Sequence, residues 1–284
     1  MTVKSVVLLC LFALLAWVRP AHAAKSFDQC QYYVEAVPIV ITTPGVWCLR
    51  EDLKVLGYAN SAINIQASDT TLDCKDFSLD GTAIPADQAQ WGIVSDRQHG
   101  VTVRNCGVRG FLFGIAFYNT ESKGNSVVNN RLDRNYANGI TVVGDGSVVR
   151  DNSVLRTGSQ TGASADGIFV VGSVDVIDNL VSGVTAGPTS NVAGISTSDF
   201  TGFIIGNRVR GLSMGVVSHP TVAISVVSAT GAVVRDNDIS GAGLPITAGI
   251  WCRFATGRIK GNVIKGMETP IMECDLGQEN DISY

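Results

Sequence analysis

The sequence has no basic tract. Its 21 Lys and Arg are outnumbered by 25 Asp and Glu, for a net charge of −4, which argues against a nucleic-acid binder and against a wholly electrostatic grip on a polyanion. It has no C-x-x-C pair, and beyond residue 23 its only histidines are His99 and His219, so the ligand clusters of a structural metal site are missing. No segment after residue 24 shows a helical apolar stripe with caps, and none approaches membrane-spanning length. No linker or compositional break divides the chain, which reads as one domain.

The one long apolar run is at the start. Lys4, the stretch Val6 to Trp17 and the small-x-small motif Ala21-His22-Ala23 read as a signal peptide over residues 1–23. Cys10 lies too early in that run for a lipoprotein cleavage site. Cleavage would leave 19 basic against 25 acidic residues, a net charge of −6. The expected location is periplasmic or secreted, with no stable membrane insertion after cleavage.

What the chain does have is a repeat. An aliphatic residue, two residues, Asn, one residue and another aliphatic residue recur around Asn130, Asn152, Asn179, Asn207, Asn237 and Asn262. Successive asparagines are 22, 27, 28, 30 and 25 residues apart. A period in the twenties means a solenoid whose units bury their apolar faces only against their neighbours. A second marker runs in phase: Gly92-Ile93, Gly114-Ile115, Gly139-Ile140, Gly167-Ile168, Gly194-Ile195, Gly215-Val216 and Gly249-Ile250. Each opens a short run with period-2 alternation, a strand signal. The fixed leucine ladder of leucine-rich repeats is absent, and Val and Ile take the inward positions.

These motifs resemble the right-handed parallel β-helix of the pectate-lyase-like superfamily, over roughly residues 60 to 275. The resemblance implies an all-β, single-stranded parallel solenoid with N-terminal and C-terminal caps. The asparagines are then a structural ladder whose side-chain amides hydrogen-bond from coil to coil. Residues 24–58 do not repeat and are read as the N-terminal cap; residues 59–284 hold the β-helix, with residues 266–284 as the second cap. Insertions are expected at 81–90, 157–165, 185–192 and 219–230.

Six cysteines remain after cleavage, an even number suited to an oxidising compartment. Cys30 and Cys48 flank the cap segment. Cys106 sits at the Asn position of its coil and Cys74 near the same place one coil earlier, so stacking would bring them together. Cys252 and Cys274 hold similar places in the last coils and would pin the C-terminal end.

In enzymes of this superfamily the groove runs along the strands that start at the Gly-Ile marker. Alternation then projects outward Trp91, Phe113, Asn138 and Asp166 before the Gly, Phe169, Ser196 and Trp251 after the Ile, and Asp96, Tyr118, Ser198, His219 and Arg253 two further on. Asp96 and Asp166 are three coils apart, roughly 14 Å at one strand spacing per coil, too far for a direct carboxyl pair. Only Arg258-Ile259-Lys260 matches a polygalacturonase motif, in the wrong strand, and the Asp-Pro-His-Asp of alginate epimerases is absent. A uronate lyase needs a proton-handling group and a cation for the substrate carboxylate. Arg253 is the candidate cation, with His219 or Tyr118 to move the proton. Trp91, Phe113, Asp166, Phe169, Ser198 and Trp251 are the candidate substrate-binding residues. No cofactor is expected. Calcium stays open as a ligand, although Asp236-Asn237-Asp238 lacks the spacing of a calcium loop. The expected partner is a polysaccharide that the protein binds and, in the enzymatic version, cleaves or epimerises. The alternative is a non-catalytic envelope or surface scaffold making protein contacts. The oligomeric state is not legible.

Overall fold

The computed structural model describes residues 30–57, 59–85, 89–158, 164–187, 190–213, 221–241, 247–274 and 279–283. The signal-peptide segment, Gly215-Val216 and His219 lie outside the described residues. All regular structure within them is β-strand, every pairing is parallel, and no helix is long and apolar enough to cross a membrane. The chain is a parallel β-helix with three faces.

The first face is a ten-stranded sheet. Its strands are Ile39–Ile41, Ala59–Ile65, Ala89–Asp96, Phe113–Tyr118, Asn138–Val143, Ala165–Val171, Val192–Ser198, Thr221–Val227, Thr247–Arg253 and Thr269–Met272. The second face climbs from Gly45–Leu49 through Val174–Ile177 to Gly257–Lys265, and the third from Leu53–Lys54 through Leu180–Ser182 to Glu279–Ser283. Inward Val, Ile and Leu from the three faces form one continuous core, with Ile93, Val103, Ile140, Val154, Ile168 and Val181 fully buried.

Register explains both repeats. The ladder asparagines stack at the turn between the second and third faces, each 2% exposed or less. Asn130 Nδ2 donates to Asn152 Oδ1 at 3.0 Å, and the same bond recurs from Asn152 to Asn179, Asn179 to Asn207, Asn207 to Asn237 and Asn237 to Asn262. Asn280 extends the column by accepting from Asn262 Nδ2 at 2.9 Å. The residue before each Asn turns the corner with positive φ: Asn129 at 55°, Asp151 at 58°, Asp178 at 53° and Asp236 at 58°, with Gly206 and Gly261 in the same role. Asn, Asp and Gly are the residues that tolerate this conformation, so the dipeptide before each third-face strand is a turn requirement. Further asparagines of the same kind went unread in the sequence: Asn125 and Asn135 accept from Val101 N at 2.8 Å and Phe111 N at 3.2 Å.

The Gly of the Gly-Ile marker is set by space. At Gly139 an added Cβ would collide with Val154 Cγ1 and lie 2.7 Å from Gly167 O; at Gly167 it would meet Val181 Cγ1 and Gly194 O. Gly139→Ala should therefore lower stability by about 1–3 kcal/mol through overpacking. A urea midpoint equal to that of the parent would refute the steric reading.

Cysteines extend the ladder column downward. Disulfides join Cys30 to Cys48, Cys74 to Cys106 and Cys252 to Cys274, with Cα separations of 5.7, 4.7 and 4.9 Å. Cys106 N donates to Asn130 Oδ1 at 3.0 Å, which places the cysteine one step below the first ladder Asn.

Two expectations are corrected. Coil stacking starts inside the segment read as the N-terminal cap: Ile39–Ile41, Gly45–Leu49 and Leu53–Lys54 pair with Ala59–Ile65, Thr70–Asp73 and Ser78–Asp80. This coil lacks both markers, because Cys48 and not Asn lies near its corner. Between Val192–Ser198 and Thr247–Arg253 the first face carries Thr221–Val227, inside the segment read as an insertion. There Ile224 pairs with Ile195 and Ile250, and Ala223 stands where other coils have Gly. The outward position assigned to His219 belongs to Val227, which pairs with Arg253.

Candidate functional site

Two grooves open on the first face. The one toward the C-terminal end encloses about 450 Å³. Its floor is the outward column Phe169, Ser196, Ser225 and Trp251, in register on four neighbouring strands. Asp166, Ser198 and Arg253 flank that column, and Ser164 and Asn191, each just ahead of its strand, form a rim. Sequence reasoning named Asp166, Phe169, Ser198, Trp251 and Arg253, and the fold brings all five into this groove. It missed Ser225, because the strand that carries it lacks the glycine marker, and Asn191, because nothing in the repeat pattern marks the residue before a strand as lining.

Each charged group in the groove is in an informative environment. Asp166 is half-buried, and the surrounding protein desolvates its carboxyl and raises its pKa from 3.8 to about 6, opposed by a hydrogen bond from Ser196. Arg253 is exposed, with its guanidinium carbon 5.9 Å from the Trp251 ring and 5.3 Å from the Phe254 ring. Among the described residues no carboxylate comes within ion-pairing distance of it. Trp251 Nε1 donates to Glu273 Oε2 at 2.9 Å, which anchors the indole while its ring stays half-exposed.

The second groove encloses about 730 Å³ near the N-terminal end, with Asn64, Trp91, Asp96 and Tyr118 among its lining residues. Trp91 stacks on Phe113 with ring centroids 6.4 Å apart, and both rings meet Tyr118 edge-on at 6.1 and 6.2 Å. Trp91 Nε1 donates to Tyr118 Oη at 3.0 Å. Burial pushes the Tyr118 phenol above its usual pKa, against the lowering effect of that bond.

The sequence-based pairing of Tyr118 with Arg253 does not form. Their strands are five steps apart in the first face, roughly 24 Å at one strand spacing per step. Asp96 and Asp166 stay three steps apart, one in each groove. The acidic turn at Asp236 and Asp238 is neutralised locally, by Arg235 at 2.6 Å and Arg208 at 3.5 Å.

Donors for a soft or borderline metal ion are scattered among the described residues. All six cysteines there are in disulfides, Met267 is 3% exposed in the core, Met272 is half-buried on the last strand of the first face, and His99 is exposed in an isolated bridge to Lys123 at the other end. Among the described residues no group of three or more His, Cys, Asp or Glu is arranged around a common point.

Solved structures share the fold. The A-module of a mannuronan C-5 epimerase from Azotobacter vinelandii is similar at 13% identity, covering 88% of this chain and 83% of that one, with a TM-score of 0.55. The Dettilon tailspike protein is similar at 14% identity, covering 82% of this chain and 53% of that one, with a TM-score of 0.51. At these identities the likeness speaks for the fold alone. No curated protein matches the sequence. Residues 33–284 match the family model described as periplasmic copper-binding protein (NosD), and the chain belongs to that family.

Proposed function

We propose that the protein is a periplasmic glycan-binding β-helix that holds an acidic polysaccharide along its first face. The family is described as periplasmic, and three disulfides suit that oxidising compartment. The observation that carries the reading is Arg253: an exposed guanidinium with no ion-paired carboxylate among the described residues, beside the half-exposed Trp251 ring in an open groove. Arg253 takes a uronate carboxylate, since its planar donor fork matches a carboxylate. Trp251 and Phe169 stack on sugar faces, and Ser196, Ser225 and Asp166 bond hydroxyls. A fold neighbour named for acting on mannuronan is in keeping with such a ligand.

Binding is proposed, not turnover. Asp166, with its pKa near 6, could exchange a proton, but the other described lining residues of its groove are hydroxyl, amide, apolar and guanidinium groups. A lyase or epimerase needs a second proton-handling group across the sugar ring.

The family description names copper, and the described residues do not fit it. Cysteine thiolate is consumed in disulfides, and no imidazole or thioether cluster is present among the described residues. No step is therefore assigned to that metal.

The test is calorimetric binding of polymannuronate and polygalacturonate, with unsaturated-product absorbance followed in parallel. Saturable binding without new absorbance is expected, weakening at high salt. Trp251→Ala and Arg253→Ala should each weaken it about tenfold, the effect of removing about 1.4 kcal/mol. Binding that ignores both substitutions would refute the site. Absence of binding to either polymer would move the scaffold reading forward.

A further inference from the structure

The N-terminal groove has chemistry that the acidic-glycan reading does not use. Its lining carries one carboxylate and one cation, Asp96 and Arg97, 3.7 Å apart, and Glu121 Oε2, outside the lining, lies 3.4 Å from the same guanidinium. Gln98 is held in place, its Oε1 accepting from Ser68 Oγ at 3.1 Å and its Nε2 donating to Asp96 O at 3.0 Å. The side-chain amides of Asn64 and Gln66 bond no described residue. Trp91 spends its N–H on Tyr118 Oη, which leaves the phenol O–H free to donate.

The groove thus offers two amides with donors and acceptors, one phenolic donor and an aromatic wall, with the two charged groups of its lining beside each other. A carboxylate or phosphate would meet no spare cation, and an organic cation would find Asp96 and Glu121 both already beside Arg97. A purely apolar ligand would cover the amides and leave them unsatisfied, at a cost of about 1–3 kcal/mol each. An uncharged polyhydroxyl compound satisfies both parts, with C–H faces on the indole and hydroxyls on the amides.

We propose that the groove formed by Asn64, Gln66, Trp91 and Tyr118 is a neutral-sugar site, separate from the Arg253 groove. The two lie on one face. Between Val94 and Phe169 the outward column passes through Ala116 and Thr141, 0% and 2% exposed and so covered by neighbouring side chains, over roughly 14 Å at three strand spacings. A glycan that mixes neutral and acidic residues could lie across both. That link rests on the function proposed above; the neutral site itself does not.

The test is calorimetry on the intact disulfide-bonded protein, with short oligosaccharides of glucose, mannose and galactose, each in low and high salt. At least one should bind saturably, with affinity unchanged by salt and no displacement by a short galacturonate oligomer. Trp91→Ala should weaken that binding about tenfold. Asn64→Asp, which keeps the side-chain size but adds a charge and removes the amide donor, should weaken it severalfold and guards against misfolding of the tryptophan variant. Neutral binding that the galacturonate oligomer displaces, or that survives both substitutions, would overturn the proposal. So would failure of every neutral oligosaccharide to bind. Failure of the acidic reading shows elsewhere, as polyuronate binding indifferent to Arg253→Ala.

Discussion

Replacing Asn179 by Leu is expected to cost about 2–6 kcal/mol, the largest effect of any single substitution proposed for this chain. The side chains are close in size, so the experiment isolates hydrogen-bond satisfaction from packing. Asn179 Oδ1 accepts from Asn152 N and Asn152 Nδ2, both at 3.0 Å, and its Nδ2 donates to Val149 O at 2.9 Å and Ile177 O at 3.0 Å. All of these lie where water does not reach, since Asn152 and Asn179 are each 1% exposed. Asn152 Nδ2 keeps Val127 O and Arg150 O, and Ile177 O keeps Asp151 N, so leucine strands Asn152 N and Val149 O, at about 1–3 kcal/mol each. At about 2–4 °C per kcal/mol for a domain of this size, the melting midpoint should fall by about 5–20 °C. A fall of only a degree or two would mean that the turn recruits water or rearranges, and that the ladder is not a main source of stability.

The second large effect concerns Asp166 and depends on pH. Its folded pKa of about 6 lies above its ordinary value of 3.8. The folded protein therefore keeps a proton that the unfolded chain has released. Stability falls as pH rises from about 4 through 6, and the full cost persists above that window, at most about 3 kcal/mol for this shift. Asp166→Asn removes the cost. The variant should be more stable than its parent at neutral pH, and the two should converge toward pH 4. A variant less stable at every pH would mean that the carboxylate is needed as an acceptor. Binding moves with the same proton. Arg253 is the other charged group lining this groove among the described residues, on a strand three steps away. Ionised Asp166 repels a uronate, so polyuronate affinity should rise as pH falls through 6, and Asp166→Asn should flatten that dependence.

The ladder and the Gly-Ile marker were readable because each is a constraint that every coil must meet in its own residues. Asn207 bonds the coils on either side, and Gly139 leaves room only for Val154 and the next strand. Where another residue met the constraint, the pattern failed. Ala223 takes the glycine's place, so a strand was read as a loop, and His219 was placed in a column that Val227 occupies. The first coil was hidden in the same way, with Cys48 near its corner. The grooves were only partly legible. Alternation aimed Trp251 and Arg253 outward, but the raised pKa of Asp166 comes from burial, and the charge balance of the Asn64 groove comes from Arg97 turning back onto Asp96. Neither follows from a repeat.

Parallel stacking without register slip along most of the first face turns that face into a ruler. Its graduation is one strand spacing, about 4.8 Å, and one outward column marks the ticks: Asn64, then Val94, Ala116, Thr141, Phe169, Ser196, Ser225 and Trp251. Excising one whole coil between two ladder asparagines would bring the two grooves one graduation closer and leave the chemistry of each intact. A chain evolving by gain or loss of whole coils can thus retune which polymer repeat it measures without altering a single contact residue.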